Sequence, residues 1–169
     1  MGRSNIILIG MPGAGKSTIG VVLAKRLGLR FLDTDVEIQA RQGRRLQDLI
    51  DGEGLAAFRE IEEQALLSLE VSDAVIATGG SAVYSEKGMA SLKRRGTTVF
   101  LDLPFEVLID RVKDMDTRGM VIDPGESFAE LYRKRLPLYR RWADRRVDCR
   151  GKSVEEVAGI IAGFFSSPP

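Results

Sequence analysis

Residues 5–18 read NIILIGMPGAGKST, and this stretch constrains the whole chain. An apolar run at 6–9 leads into Gly10-x4-Gly15-Lys16-Ser17, and a helical pattern begins at Thr18. Without Cβ atoms at Gly10, Gly13 and Gly15 the backbone can curl, so that successive N–H groups turn inward onto a polyphosphate. A helix that starts at such a loop adds the positive end of its dipole and its unpaired N–H groups. Lys16 then supplies a mobile charge for the terminal phosphates, and the Ser17 hydroxyl a ligand for Mg²⁺. Pro12 stiffens the loop without using a needed N–H. A plain glycine-rich turn would also match the letters, but a strand before and a helix after mark a nucleoside triphosphate site.

Downstream, strands and helices alternate. The first helix carries Ile19, Val22, Leu23 and Leu27 on its apolar positions and ends at Gly28. A short strand at 30–32 runs into Asp33-Thr34-Asp35. Ligands of a doubly wound sheet sit outside the carboxyl ends of its strands, which places both aspartates near the phosphates. Asp35 could equally cap a helix over 36–41. A helical turn at 46–50 should break at Asp51-Gly52, and a longer helix over 53–69 places Phe58 on its apolar stripe. Arg59 beside it reads as a ligand or as a side chain snorkelling to solvent.

The apolar strand at 74–78 ends in Gly79-Gly80-Ser81, which is either a site of close backbone approach or an ordinary turn into a helix over 85–94. A fourth strand at 97–101 precedes Asp102, whose carboxylate could hold Mg²⁺ directly or through water. Pro104 starts the next helix. Residues 113–125 lose all apolar periodicity, as a lid that excludes water from a phosphoryl group would. Its one arginine, Arg118, is the candidate for a finger onto the transferred phosphoryl. A helix over 126–143 should kink or end at Leu136, ahead of Pro137. A fifth strand at 145–149 and a last helix capped by Ser153 and Glu156 complete the chain. The expected architecture is therefore α/β, three layers in one domain over 1–169, with about five parallel strands between helices.

Composition narrows the chemistry. The chain has no histidine and one cysteine, Cys149, so carboxylates, lysines and arginines must carry any catalysis. The formal net charge of +1 offers no global field for nucleic acid or membrane. Eight basic residues crowd positions 133–150, read mostly as a solvated face. No apolar run approaches the ~20 residues that cross a bilayer, and no signal segment is visible, so a cytoplasmic protein is expected. With no long exposed apolar stripe, a monomer is the default expectation.

Taken together, GMPGAGKST at 10–18, LDTD at 32–35, FRxxE at 58–62, TGG at 78–80, an arginine at 118, RxPLY at 135–139 and VD at 147–148 resemble the shikimate kinases along nearly the whole chain. The resemblance implies a P-loop kinase fold and transfer of phosphate from ATP, with Mg²⁺, to the 3-hydroxyl of shikimate in aromatic amino-acid biosynthesis. It implies nucleotide binding by Gly10, Gly13, Ala14, Gly15, Lys16, Ser17, Thr18 and Arg111, the last lying against adenine. Asp35, Arg59, Gly79, Gly80 and Arg135 match the substrate positions, the two arginines taking the carboxylate and Asp35 a ring hydroxyl. The substrate-binding helical region is then about 34–62. Ser17 and Asp33 match the Mg²⁺ positions, and Lys16, Asp35 and Arg118 the catalytic ones.

Two positions depart from the family pattern. Ser81 replaces a third glycine, which would strain the backbone by about 1–2 kcal/mol if φ must be positive there. Gly119-Met120-Val121 replaces the Pro-Leu-Leu that follows the lid arginine. Both keep open a related kinase for another small hydroxy acid or amino alcohol, such as gluconate or homoserine. A nucleotide-binding module without turnover is a third reading, opposed by the intact Lys16, Ser17, Asp33, Asp35 and Arg118.

Overall fold

The computed structural model describes residues 5–114 and 120–166. Five strands form one sheet: β1 (Asn5–Ile9), β2 (Arg30–Asp33), β3 (Ala74–Ala77), β4 (Gly96–Asp102) and β5 (Arg145–Asp148). Their order is β2-β3-β1-β4-β5, and every neighbouring pair is parallel. The described helices are α1 (Lys16–Leu27), α2 (Thr34–Gln42), α3 (Leu46–Leu67), α4 (Glu86–Arg95), α5 (Phe105–Lys113), α6 (Phe128–Trp142) and α7 (Val154–Phe165), with a 3₁₀ turn at Ala82–Tyr84. The three-layer α/β expectation is met.

Continuous apolar runs can serve only as strands covered on both faces. In β1, Ile6, Ile7, Leu8 and Ile9 are all buried. Helices α1 and α7 pack on one another, while α4 and α6 pack on β4 and α4 also meets α3. Tyr139 of α6 stacks on Phe100 of β4 with ring centroids 5.3 Å apart. Because β1 lies mid-sheet, the loops leaving β1, β2 and β3 open at one edge, and all the polar motifs of the amino-terminal half meet there. No described helix is long and apolar enough to cross a membrane.

Local signals account for several helix ends. Gly28 terminates α1 with a left-handed φ of 66°. Ser153 and Glu156 form the expected capping box of α7, and Ser127 and Glu130 form another that begins α6 at Phe128.

Three expectations need correction. The break in α3 falls at Gly54, with φ 84° and ψ 166°, while Gly52 stays helical; of the two glycines the later one takes the turn. The cap of α2 is Asp33, not Asp35: its side chain accepts from the Asp35 and Val36 N–H groups. Finally, α6 runs unbroken through Pro137 to Trp142. Proline removes one helical N–H, a penalty of about 3 kcal/mol, but buried Leu131 and Arg135 before it and Tyr139 after it hold both halves on the core.

The start of β1 is locked to β3 by one side chain. Asn5 Nδ2 donates to the Val71 carbonyl at 2.8 Å, and its Oδ1 accepts from the Ala74 N–H at 3.1 Å. Asn5→Ala removes both partners at once and is expected to lower stability by about 1–3 kcal/mol. Urea unfolding should show an earlier midpoint at unchanged slope.

Candidate active site

The glycine loop adopts backbone angles that residues with a Cβ rarely take. Gly10, Gly13 and Gly15 have φ of 156°, 84° and 88°, and a Cβ on Gly10 would lie 3.0 Å from the Leu101 carbonyl oxygen. Ala14 is buried, its N–H donating to the Met11 carbonyl at 3.1 Å. Helix α1 starts at Lys16 with no side-chain cap. The buried Lys16 ammonium donates to the carbonyls of Gly10 and Met11 at 2.7 and 2.9 Å. Burial pulls its pKa down to about 8, with Asp35 the strongest opposing charge.

Asp33 does two jobs at the end of β2. Its Oδ1 accepts the α2 capping bonds, and its Oδ2 accepts from the Ser17 hydroxyl at 2.5 Å. Asp35, freed from capping, lines the same cavity as Lys16 and Ser17. Burial, then the Asp33 charge, pushes its carboxyl up to about 6. Between them Thr34 is buried, its hydroxyl accepting from the Gly79 N–H at 3.0 Å.

The turn after β3 closes the opposite wall. A Cβ on Gly79 would meet Asp35 Oδ1 at 2.6 Å and Glu62 Oε2 at 2.8 Å, and one on Gly80 would meet Arg135 Nη1 at 2.7 Å. At both glycines, charged side chains come in to where a Cβ would stand, so a larger residue would displace their ends. The Tyr139 hydroxyl donates to the Gly80 carbonyl at 2.7 Å. Ser81 has φ −86° and ψ −6°, so the serine there carries no left-handed strain. Its hydroxyl donates to Glu62 Oε1 at 2.6 Å.

Arg135 departs from the solvated arginine face. Seven of the eight basic side chains in that run are exposed, but Arg135 is only 1% exposed. Its Nε donates to the Tyr84 hydroxyl at 3.2 Å and its Nη2 to the Val121 carbonyl. The periodicity of α6 supplies the reason: Leu131, Arg135 and Tyr139 are spaced four apart on its inward stripe. Asp102, a possible Mg²⁺ ligand by sequence, instead accepts from Arg146 Nε at 2.6 Å on the adjoining strand. Cys149 is buried, and burial pushes its thiol up to about 11.

A cavity of about 390 Å³ thus brings together Gly13, Gly15, Lys16, Ser17, Thr18, Asp33, Asp35, Gly79, Gly80 and Arg135. Phe58, Met120 and Val121 supply apolar wall. Arg59 lies in an adjoining hollow that shares Ser81. Arg111 is exposed outside the cavity, its Nη1 donating to the Gly13 carbonyl at 3.0 Å. Arg118 and Gly119 lie outside the described residues. Sequence reasoning gave no role to Thr34, Tyr84, Tyr139 or Glu62. Glu62 appeared only as the last letter of FRxxE, although a glutamate on a helix stripe otherwise apolar is a visible signal.

The family model described as shikimate kinase matches residues 12–164. The chain belongs to the shikimate kinase family. Among relatives, the shikimate kinase of Aromatoleum aromaticum is 42% identical over 166 residues, covering 94% of this chain and 95% of the relative. That of Persephonella marina is 35% identical over 160 residues, covering 94% and 97%. Of solved structures, the Acinetobacter baumannii shikimate kinase in complex with shikimate superposes with a TM-score of 0.88 at 33% identity, covering 96% of this chain and 93% of that one. The Aquifex aeolicus shikimate kinase gives 0.82 at 37% identity, with 95% of each chain covered.

This member of the shikimate kinase family buries Glu62 beside Asp35, and burial raises the Glu62 carboxyl to about 7 against the Ser81 hydrogen bond. The folded protein therefore binds the Glu62 proton more tightly than the unfolded chain. The associated stability is full below about pH 4.5 and is lost as pH rises through about 7. Glu62→Gln should flatten that part of the stability curve, measured by thermal melts across the range. An unchanged slope would remove Glu62 as its source.

Proposed function

We propose that this chain transfers the γ-phosphoryl group of ATP to the 3-hydroxyl of shikimate, forming shikimate 3-phosphate and ADP. The observation that carries the reading is one cavity that Lys16 of the glycine loop lines together with a half-buried carboxylate, Asp35, and a buried guanidinium, Arg135. A phosphate-binding end and an acid-binding end then flank a carboxylate able to handle a hydroxyl proton. A planar guanidinium recognises a carboxylate in two-pronged fashion and disfavours neutral sugars.

The residues fit both the nucleotide and its metal. The positive-φ glycines and the uncapped start of α1 make an anion cradle for phosphates at Gly10, Gly13, Ala14, Gly15, Lys16, Ser17 and Thr18. Among the described residues no group of three His, Cys, Asp or Glu could hold a metal alone. Mg²⁺ suits such a place, since it takes one or two protein oxygens and completes its shell with phosphates and water. Ser17 and Asp33, already in contact, would hold it, and the ion would neutralise charge on the phosphate oxygens.

In the proposed mechanism, Lys16 exchanges its two carbonyl partners for phosphate oxygens. Asp35 orients the attacking hydroxyl and accepts its proton, a role that its raised pKa favours over an ordinary aspartate. Arg135 and Arg59 hold the substrate carboxylate, and the Gly79-Gly80 backbone lies against the ring. Arg111 is assigned to the adenine, which a guanidinium plane suits. Arg118 keeps the charge-neutralising role implied by its position in the family pattern. Residues 113–125 are proposed as the lid, with Met120 and Val121 lining the cavity. A formal net charge of +1 gives no global field to recruit nucleic acid or membrane, which supports a small-molecule acceptor.

The test is ADP release from Mg·ATP by the purified protein with shikimate, beside gluconate and homoserine. Stimulation by shikimate alone is expected; stimulation by another acceptor with shikimate inert would overturn the substrate. Asp35→Asn should lower kcat by about 10²–10⁴ while leaving ATP affinity in place, read by steady-state kinetics and nucleotide titration. Arg59→Ala should weaken acceptor binding by about 2–5 kcal/mol, read as KM for shikimate.

A further inference from the structure

We infer that Tyr84 is a positioning residue that sets the spacing and orientation of Arg59 and Arg135, and so tunes the preference of this chain for a carboxylate-bearing acceptor. The inference rests on the proposed role of those two arginines. Tyr84 closes the 3₁₀ turn that follows Gly79-Gly80-Ser81, its N–H donating to the Ser81 carbonyl at 3.0 Å. Three cations from two helices converge on its ring. Arg59 of α3 and Arg135 of α6 place their Cζ atoms 5.0 and 5.2 Å from the ring centroid, and Lys134 its Nζ at 5.6 Å. The Tyr84 hydroxyl also accepts from Arg135 Nε at 3.2 Å.

The chemical point is how two like charges are kept near one another without being neutralised. The two carboxyls that face both guanidiniums, Glu62 and Asp123, leave them short of full pairing: Glu62 gives its bonded oxygen to Ser81, and Asp123 gives its shorter contact to Lys134 at 2.8 Å. An aromatic ring attracts cations through its quadrupole while its face leaves the guanidinium edges free to donate. Arg135 has no ion pair among the described residues; it donates to the Tyr84 phenol and the Val121 carbonyl. Arg59 meets Asp123 only at 3.5 Å, and its Nε is buried without a hydrogen-bond partner among the described residues. Tyr84 contacts both guanidiniums and so couples α3 to α6 at the acceptor end of the cavity. That turn thereby has two duties, since Ser81 at its start holds Glu62.

The experiment compares the wild-type protein with Tyr84→Leu and Tyr84→Phe, measuring KM for shikimate, KM for ATP, kcat, and shikimate binding by calorimetry. Tyr84→Leu should raise KM and Kd for shikimate by about tenfold, the weight of a partly desolvated cation–π contact, with KM for ATP and kcat within about twofold. Tyr84→Phe keeps the ring face and loses the phenol oxygen, so a smaller rise of about threefold is expected. A folded Tyr84→Leu protein that binds shikimate like wild type overturns the inference, as does an equal loss toward ATP, which would mark general damage. Should the leucine variant not fold, the phenylalanine variant decides: an unchanged shikimate KM overturns it. Wild-type protein inert toward shikimate would remove the proposed substrate and this inference together, whereas active wild type with insensitive Tyr84 variants removes the inference alone.

Discussion

Three ionisable side chains, Lys16, the half-buried Asp35 and Arg135, line one cavity at the edge of the sheet, with buried Glu62 beside Gly79, and the local structure is built to tolerate them. An isolated buried charge is expensive, so each must find oxygens, protons or opposite charge close by. Backbone carbonyls of Gly10 and Met11 take the lysine, the Ser81 hydroxyl takes one oxygen of Glu62, and Tyr84 and Val121 take Arg135. The compensation is incomplete. Burial lowers the lysine toward neutrality and raises both carboxyls, and Glu62 Oε2 has no hydrogen-bond partner among the described residues. Charges held in place but only partly satisfied are what a charged ligand can complete, at little cost in reorganisation.

The sheet topology explains why these groups meet. Parallel strands place all their carboxyl ends on one edge, and with β1 in the middle the phosphate loop sits between the turns from its neighbours. Side chains then fix the turns to one another. Thr34, between the two aspartates, holds the Gly79 N–H, and Tyr139 of α6 holds the Gly80 carbonyl. The same Tyr139 stacks on Phe100, so the glycine turn is referenced to the core of the sheet. With the turn referenced in this way, the ends of Asp35 and Arg135 come close against Gly79 and Gly80, into the space that a Cβ would take.

The two departures from the family pattern have different standing. Ser81 occupies ordinary helical backbone angles, so its glycine-like neighbours do not imply a glycine-only position. Its hydroxyl binds Glu62 and leaves the backbone turn intact, which weakens the argument that serine marks another substrate. At the second departure, Val121 contributes its backbone carbonyl to Arg135, a contact indifferent to which side chain is present.

The strand-loop-helix start, the Asp33-Thr34-Asp35 end of β2, the glycine turn after β3 and the alternation of elements were all legible in the sequence. These are local patterns, set by apolar periodicity and by the few residues that allow a given backbone angle. Local patterns failed where packing outweighed propensity or chose between equivalent neighbours. Pro137 sits inside a continuous helix because buried residues on either side anchor it; Gly54 rather than Gly52 takes the turn; Asp33 rather than Asp35 caps α2. The burial of Arg135 among exposed arginines, the Glu62–Ser81 bond and the Tyr84 cation cluster join segments far apart in the chain. By itself the sequence determined the fold class and the phosphate-binding half of the site, because a contiguous loop builds that half. Only the tertiary structure decided the acceptor half, because its side chains come from α2, α3, α6 and the turn after β3, and their distances exist only once those elements have packed.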